Sequence, residues 1–132
     1  MDLIKLSANE ALKMMEEGSL SSEEYVKAFL KQIELREDDV GAWIFLDPKL
    51  ALEQAREADK RWKDKTAGKL NGLPIGIKDI IDTKDMPTEN GSQLCKDRKP
   101  SKDAHLVKLL RNEGAVIMGK CVTTEFALSG PG

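Results

Sequence analysis

Two short apolar runs without polar alternation constrain the fold more than any other feature of this 132-residue sequence. The first is LPIGI at residues 73–77 and the second is AVIMG at residues 115–119. Strands that are apolar at every position are covered on both faces, which is typical of a parallel pair in an α/β protein. A turn-rich segment and a helical pattern lie between the two runs, as a crossover between parallel strands requires. The sequence therefore predicts an α/β fold.

Four segments carry the start signals of helices. The first two begin with the spacing of a capping box, in the pairs Ser7 with Glu10 and Ser21 with Glu24. We expect the first helix to stop at Gly18 and the second to end near residue 37. Asp47 followed by Pro48 begins the third helix, and Ser101 is expected to cap the fourth. The fourth helix is predicted to bury four apolar residues: Leu106, Val107, Leu109 and Leu110. The stretch AWIFL at residues 42–46 is a short strand or an apolar connector.

Composition excludes several classes of function. The net charge is −2, with both signs interspersed, so the sequence has no electrostatic footprint for nucleic acid or for an anionic membrane. No apolar run approaches the ~18 residues of a transmembrane helix. The first ten residues lack the basic and apolar regions of a secretory signal, which makes the cytoplasm the expected location. Cys95 and Cys121 have no metal-ligand spacing, and we expect them to be reduced thiols.

The candidate metal ligands and histidine do not form a recognisable site. His105 is the single histidine and lies in the predicted fourth helix, where a surface or packing role is the simpler interpretation. Asp79, Asp82 and Asp85 match the spacing of a calcium loop in part, without its glycine and closing glutamate. Gly-rich phosphate loops are also absent from the sequence. We therefore expect no metal and no cofactor.

Within residues 71–94, Lys78 is a charged residue in a place that apolar residues normally occupy, at the end of the first apolar run. From periodicity alone it marks the end of the strand and reaches to water. The alternative is that it lies at the carboxyl end of a central strand, where open α/β sheets place their ligand sites. A lysine kept out of water there could lose its proton near neutral pH and act as a base. Spacing leaves both interpretations open.

Four stretches together resemble the amidase signature family. GLPIGIKD occupies residues 72–79, TKDMPTENGS residues 83–92, and DAHLVKLLRNEGAVIMGKCVTTEFALSG residues 103–130. The upstream AWIFLDPKLALEQAREAD, at residues 42–59, is similar to the segment before this core in the family. Their order and spacing carry the resemblance, which covers nearly the whole chain.

This resemblance implies an enzyme that hydrolyses or transfers amides with a Ser-Ser-Lys triad. The lysine of the family's G-x-P-x-x-x-K-D stretch carries over to Lys78. In the implied mechanism, neutral Lys78 takes a proton through a bridging serine from a nucleophilic serine, and backbone N–H groups stabilise the oxyanion. The substrate would be a small-molecule amide. Ala127, Leu128 and Ser129 correspond to a substrate-facing loop, which makes them candidate substrate-binding residues.

Both triad serines belong to a Gly/Ser-rich signature that follows the EFA segment in the family, and this sequence stops before it. Ser92 and Ser129 lie in other contexts, so we do not expect either to be the nucleophile. The resemblance thus implies that the chain is the N-terminal part of an amidase, with residues 1–66 as a helical region and 67–132 as the start of the α/β core. We expect an incomplete mixed sheet, no hydrolysis by the chain alone, and self-association through its uncovered edge.

Two further interpretations stay open. The sequence of residues 42–59 is more similar to stand-alone amidases than to the A chain of the tRNA-dependent amidotransferase. The amidotransferase chain would need an ammonia-channel partner and a tRNA-binding partner. Where many relatives read G-K-T-N, this sequence has Gly119, Lys120, Cys121 and Val122. The chain could also be a non-enzymatic α/β assembly module.

Overall fold

The computed structural model describes residues 1–128 and residue 130. Its helices are α1 (Ala8–Glu16), α2 (Ser22–Val40), α3 (Pro48–Lys63) and α4 (His105–Asn112). Its strands are β1 (Trp43–Leu46), β2 (Pro74–Lys78) and β3 (Val116–Cys121). Short 3-10 turns lie at Leu3–Lys5, Gln93–Cys95 and Glu125–Ala127. The predicted α/β class, with helices before the first strands of a mixed sheet, is confirmed.

The three strands form one sheet in the order β1-β3-β2. β3 is central and pairs with β2 in parallel and with β1 in antiparallel orientation. Residues 116–120 are buried, as expected for a strand covered on both faces, whereas β2 is partly exposed at the sheet edge. The parallel pair predicted from the two apolar runs is therefore present, and residues 43–46 are a strand.

Helices cover both faces of β3. Val116 and Met118 pack with Val26, Ala51 and Ala55, which lie on α2 and α3. Ile117 faces the other side, where its cluster contains Ile77, Met86 and Val107. A third cluster joins α1 and α2 to the residue before β2: Ala11, Met15, Leu20, Tyr25 and Leu73.

The side-chain caps predicted for the first three helices are present at the starts of α1, α2 and α3. Ser7 and Ser21 each make a complete capping box, and the Asp47 side chain accepts from the backbone N–H of Leu50. α2 continues three residues beyond the predicted end, because Gly41 supplies the left-handed C-cap (φ +59°) that stops it. Along the described residues, no helix combines the length and apolar composition needed to cross a bilayer.

The prediction for α4 was wrong at its start. The helix begins at His105 with Ala104 at the N-cap position, so Ser101 lies outside it. The preceding residues are bound by the neighbouring loop: Ala104 N–H donates to the Asp82 carbonyl (2.9 Å), and the Asp103 carboxylate accepts from Lys84 N–H (2.9 Å). A cap at Ser101 would need its hydroxyl to accept from Asp103 or Ala104 N–H, and the Ala104 N–H is bound to the Asp82 carbonyl instead.

The shorter α4 also buries a narrower stripe than predicted. Val107 is fully buried, but Leu106 and Leu109 are 49% and 50% exposed. Val107 and Leu110 are three residues apart and meet the same cluster, so one short ridge makes the contact. His105 is exposed, in agreement with its expected surface position.

Candidate active site

Lys78 is the last residue of β2, and backbone pairing with β3 fixes its position. Its partner in the parallel ladder is Cys121, and the next residue, Asp79, donates its N–H to the Cys121 carbonyl (2.9 Å). The Lys78 carbonyl then accepts from Ile81 N–H (3.0 Å), so the chain turns at once. The Lys78 side chain is exposed. The described residues therefore place it at the carboxyl end of a strand without removing it from water.

The buried lysine of this region is Lys120, near the end of β3. Its side chain is inaccessible to solvent. The ammonium Nζ donates to Thr88 Oγ1 (2.6 Å), Thr83 Oγ1 (3.3 Å) and the Pro87 carbonyl (3.3 Å). It also lies 3.5 Å from Asp79 Oδ1. Sequence reasoning singled out Lys78 and missed this residue.

Asp79 is the counter-ion of Lys120 and is equally buried, at 2% exposure. Its two carboxylate oxygens also face Glu89 N–H, at 3.4 and 3.3 Å. Burial raises the pKa of the Asp79 carboxyl, and the positive charge of Lys120 opposes this change. Burial lowers the pKa of the Lys120 ammonium, and Asp79 opposes that change in turn. Desolvation thus acts against both charges, and their mutual attraction offsets it.

A β-bulge directs Lys120 toward Asp79. Ile75 pairs with Ile117 and Gly76 with Gly119, so Met118 is an extra residue in β3. Strict alternation from Met118 would place Lys120 on the face of α2 and α3. The bulge shifts the alternation, and Lys120 instead lies beneath residues 83–88, which continue the Ile77 and Met86 cluster.

The three aspartates with calcium-loop spacing are separate ion pairs. Asp82 binds Arg98 (2.8 Å) and Asp85 binds Arg111 (2.7 Å), whereas Asp79 faces Lys120. Each carboxylate thus has its own cation. Within the described part of the chain, no group of three or more His, Cys, Asp or Glu residues is arranged to bind a metal ion.

Backbone hydrogen bonds bring the segment after Lys78 next to the predicted substrate loop. The Asp79 carbonyl accepts from Asn90 N–H (2.9 Å), and the Asn90 carbonyl accepts from Phe126 N–H (2.8 Å). Ala127 follows with a left-handed backbone (φ +56°), and the Leu128 side chain is 81% exposed. Ser129, the third predicted substrate-binding residue, lies outside the described residues.

An open cavity of about 740 Å³ lies beside these segments. Its lining includes Asp79, Ser92, Val122 and Thr123, together with Ile44 of β1. Ser92 is buried, and its hydroxyl donates to the Glu125 carboxylate (2.7 Å). This contact links the 79–92 segment to Glu125–Ala127 and gives Ser92 a structural partner.

A sequence signal for Lys120 did exist. Asp79 is the second residue after the first apolar run and Lys120 is the first residue after the second, and the carboxyl ends of parallel neighbours meet at one edge of a sheet. The placement argument used for Lys78 therefore applies to this pair as well. The bulge that turns Lys120 to the Asp79 side has no comparable sequence signal.

The comparisons with known proteins agree on one family. The Amidase family model matches residues 24–132. The chain is 37% identical over 127 residues to the A chain of the glutamyl-tRNA(Gln) amidotransferase from Dehalococcoides mccartyi, covering 96% of this chain and 26% of that protein. It superposes on the peptide amidase of Stenotrophomonas maltophilia with a TM-score of 0.86 and 32% identity, covering 92% of this chain and 26% of the amidase. It also superposes on fatty acid amide hydrolase with a TM-score of 0.86 and 30% identity, covering 92% of this chain and 22% of that enzyme.

The family match spans well over half of the sequence, so the chain belongs to the Amidase family. The resemblance drawn from residues 42–59 and 72–130 is confirmed. The chain spans about a quarter of the length of the relatives that it matches.

Proposed function

We propose that the chain is the N-terminal part of an enzyme acting on the C–N bond of amides, with Lys78 as its catalytic base. The observation that carries the proposal is the position of Lys78 at the carboxyl end of β2, within the family's G-x-P-x-x-x-K-D stretch, in a chain that belongs to this family. Open α/β sheets place ligand sites at this edge. The small-molecule amide, the absence of a cofactor and the cytoplasmic location remain our expectations.

In this proposal the serines of the triad come from residues beyond this sequence. Neutral Lys78 would accept a proton through the bridging serine as the nucleophile attacks, and would return it to the leaving amine. Because Lys78 is exposed here, the water exclusion that favours a neutral amine must come from the same additional residues. The chain alone should therefore not hydrolyse amides.

A chimeric enzyme tests the role of Lys78. Residues 1–132 would replace the matching quarter of the Stenotrophomonas peptide amidase, and turnover would be measured with an amide that the parent enzyme hydrolyses. We expect Lys78→Ala to lower kcat by about 10²–10⁴-fold, the usual contribution of a general base. Lys108→Ala is the matched control, because Lys108 is an exposed lysine on α4.

Two results would contradict the proposal. The first is a chimera whose kcat is unchanged by Lys78→Ala. The second is amide hydrolysis by the 132-residue chain alone that disappears in Lys78→Ala, because this would show that the missing serines are not needed.

The amidotransferase A chain, which acts in a tRNA-dependent complex, is the second candidate. It is favoured by the 37% identity to the Dehalococcoides protein, whereas residues 42–59 favour a stand-alone amidase. A second chimera, with residues 1–132 grafted onto the Dehalococcoides protein, discriminates between them. Activity in one chimera and loss in the other assigns the type, and inactivity of both, when folded, supports the non-enzymatic module.

A further inference from the structure

The segment that follows Lys78 is long and largely irregular. From Asp79 to Ala104 the chain contains one short 3-10 turn, at Gln93–Cys95, before α4 begins. An irregular segment has few ladder hydrogen bonds, so its side-chain contacts determine where it lies. The contacts nearest to Lys78 should therefore determine the geometry at the end of β2.

Lys120 makes these contacts. All four of its oxygen partners belong to residues 79–88, the first ten residues of the segment. The amine itself lies on the central strand, whose backbone is buried. One buried ammonium thus connects the central, buried strand of the sheet to the start of the irregular segment.

The same contact reaches Lys78 through a single peptide bond. Asp79 follows Lys78 directly, and three of its groups are fixed: its N–H by Cys121, its carbonyl by Asn90 and its carboxylate by Lys120. A buried carboxylate that loses its cation is strongly unfavourable, so it must move toward water or take up a proton, and either change removes the contact that fixes it. Its movement would shift the adjacent Cα of Lys78.

We propose that Lys120 is a positioning residue for Lys78: its buried ammonium fixes Asp79 and residues 83–88 against β3, and this sets where the Lys78 amine leaves the sheet. The inference rests on the proposed role of Lys78 as the base. Positioning matters at such a site because a displacement of about 1 Å can cost about 100-fold in rate.

Hydrogen exchange in the 132-residue chain tests the contact without reference to catalysis. Lys120→Met removes the ammonium and retains the length of the stem. We expect the amides of Glu89 and Asn90, which donate to Asp79, to exchange about tenfold faster or more, while the amide of Val116 keeps its protection. A merely structural role would lower protection at all three amides together. Lys108→Met is the control.

A milder variant covers the case in which Lys120→Met does not fold. Thr88→Val removes the shortest contact of the ammonium with little change of shape, and exposed Thr66→Val is its control. The same local loss at Glu89 and Asn90 is expected, with a smaller amplitude. Unchanged exchange in both Lys120→Met and Thr88→Val would overturn the proposal.

The peptide amidase chimera supplies the catalytic readout. At a temperature where circular dichroism shows every variant folded, Lys120→Met should lower kcat by about 100-fold with little change in KM, and Lys108→Met should change neither. Local loosening without a fall in kcat would overturn the positioning role. A chimera insensitive to Lys78→Ala would instead overturn the proposed function, because the exchange result does not depend on that role.

Discussion

Two glycines show, at the scale of single residues, what the sequence could and could not reveal. Gly76 within an apolar run predicts a close approach of another backbone. A Cβ there would instead meet the side chains of Cys121 (2.7 Å) and Trp43 (2.9 Å). The close backbone approach occurs at Gly119, where a Cβ would overlap the Phe45 carbonyl oxygen. The sequence thus identifies positions without room for a side chain, but the neighbour depends on the sheet register.

Cys121 provides a test of burial at the residue scale. Burial, with a smaller contribution from the Glu37 carboxylate, raises the pKa of the Cys121 thiol above its ordinary 9.0. In the Cys95→Ala variant, where Cys121 is the remaining thiol, iodoacetamide should react more slowly with the native than with the urea-unfolded chain at pH 8. Because the native thiol ionises at a higher pH, its rate should still be rising at the pH where the unfolded rate has levelled off.

The same shift has a consequence for stability, with a definite sign. Below the unfolded pKa the thiol is protonated in both states, so stability is unaffected. Above it the unfolded thiol ionises first, so the free energy of unfolding should fall as the pH rises. Replacing Cys121 by Ala should remove this part of the alkaline slope. Equal native and unfolded alkylation rates at every pH would contradict the assignment.

At the scale of elements, helix starts that have a local side-chain signal were predicted well. The boxes at Ser7 and Ser21 formed as expected because their bonds join residues three apart and need no tertiary partner. The start of α4 was wrong because Asp82 and Lys84, about twenty residues earlier, bind its expected first turn. The bulge at Met118 lies in the pairing of β3 with β2, and the orientation of Lys120 depends on that bulge. Local signals therefore placed the helices and Lys78, whereas the ion pair of the site required the assembled sheet.

Two serine substitutions compare the helix start that formed as predicted, at Ser21, with the one that did not, at Ser101. Ser21→Ala removes hydroxyl contacts with Glu24 (2.9 and 3.1 Å) and should lower the free energy of unfolding by about 1 kcal/mol in urea titrations. Ser101→Ala is the matched control, since this exposed serine lies outside α4, and its effect should stay within about 0.5 kcal/mol. Equal losses in the two variants would show that α4 starts earlier than the structure has it.

The Ser21 box should also depend on pH. The Ser21 backbone N–H donates to the Glu24 carboxylate, and this bond is the main cause of the lowered pKa of the Glu24 carboxyl. A lowered folded pKa means that the contribution is present above the unfolded pKa and is lost as the pH falls through the folded one. The Ser21 hydroxyl also lowers this pKa and is the part that Ser21→Ala removes, so the difference in stability between Ser21→Ala and the parent chain should shrink in acid, while that of Ser101→Ala stays constant.

At the scale of the whole molecule, family membership and the sheet together explain the apolar surface. Among the described strands, β1 and β2 each pair on one side, so both outer edges of the sheet are open. Several large apolar residues are exposed, among them Ile44, Leu94, Val122, Phe126 and Leu128, and two of these, Ile44 and Val122, line the cavity. In relatives about four times as long, additional chain is available to cover such a surface.

We therefore expect the 132-residue chain to self-associate, because open edges and apolar patches favour pairing between copies. Light scattering should show an apparent mass that rises with concentration. Ile44→Lys places a charge on the β1 edge beside Val122 and should shift the chain toward monomer. Leu35→Lys is the matched control: Leu35 is 66% exposed on α2, outside the sheet edge, and its substitution should leave the association unchanged. A monomer at all concentrations would show that the described surface is sufficient by itself, which would favour the stand-alone module over the N-terminal part of a longer enzyme.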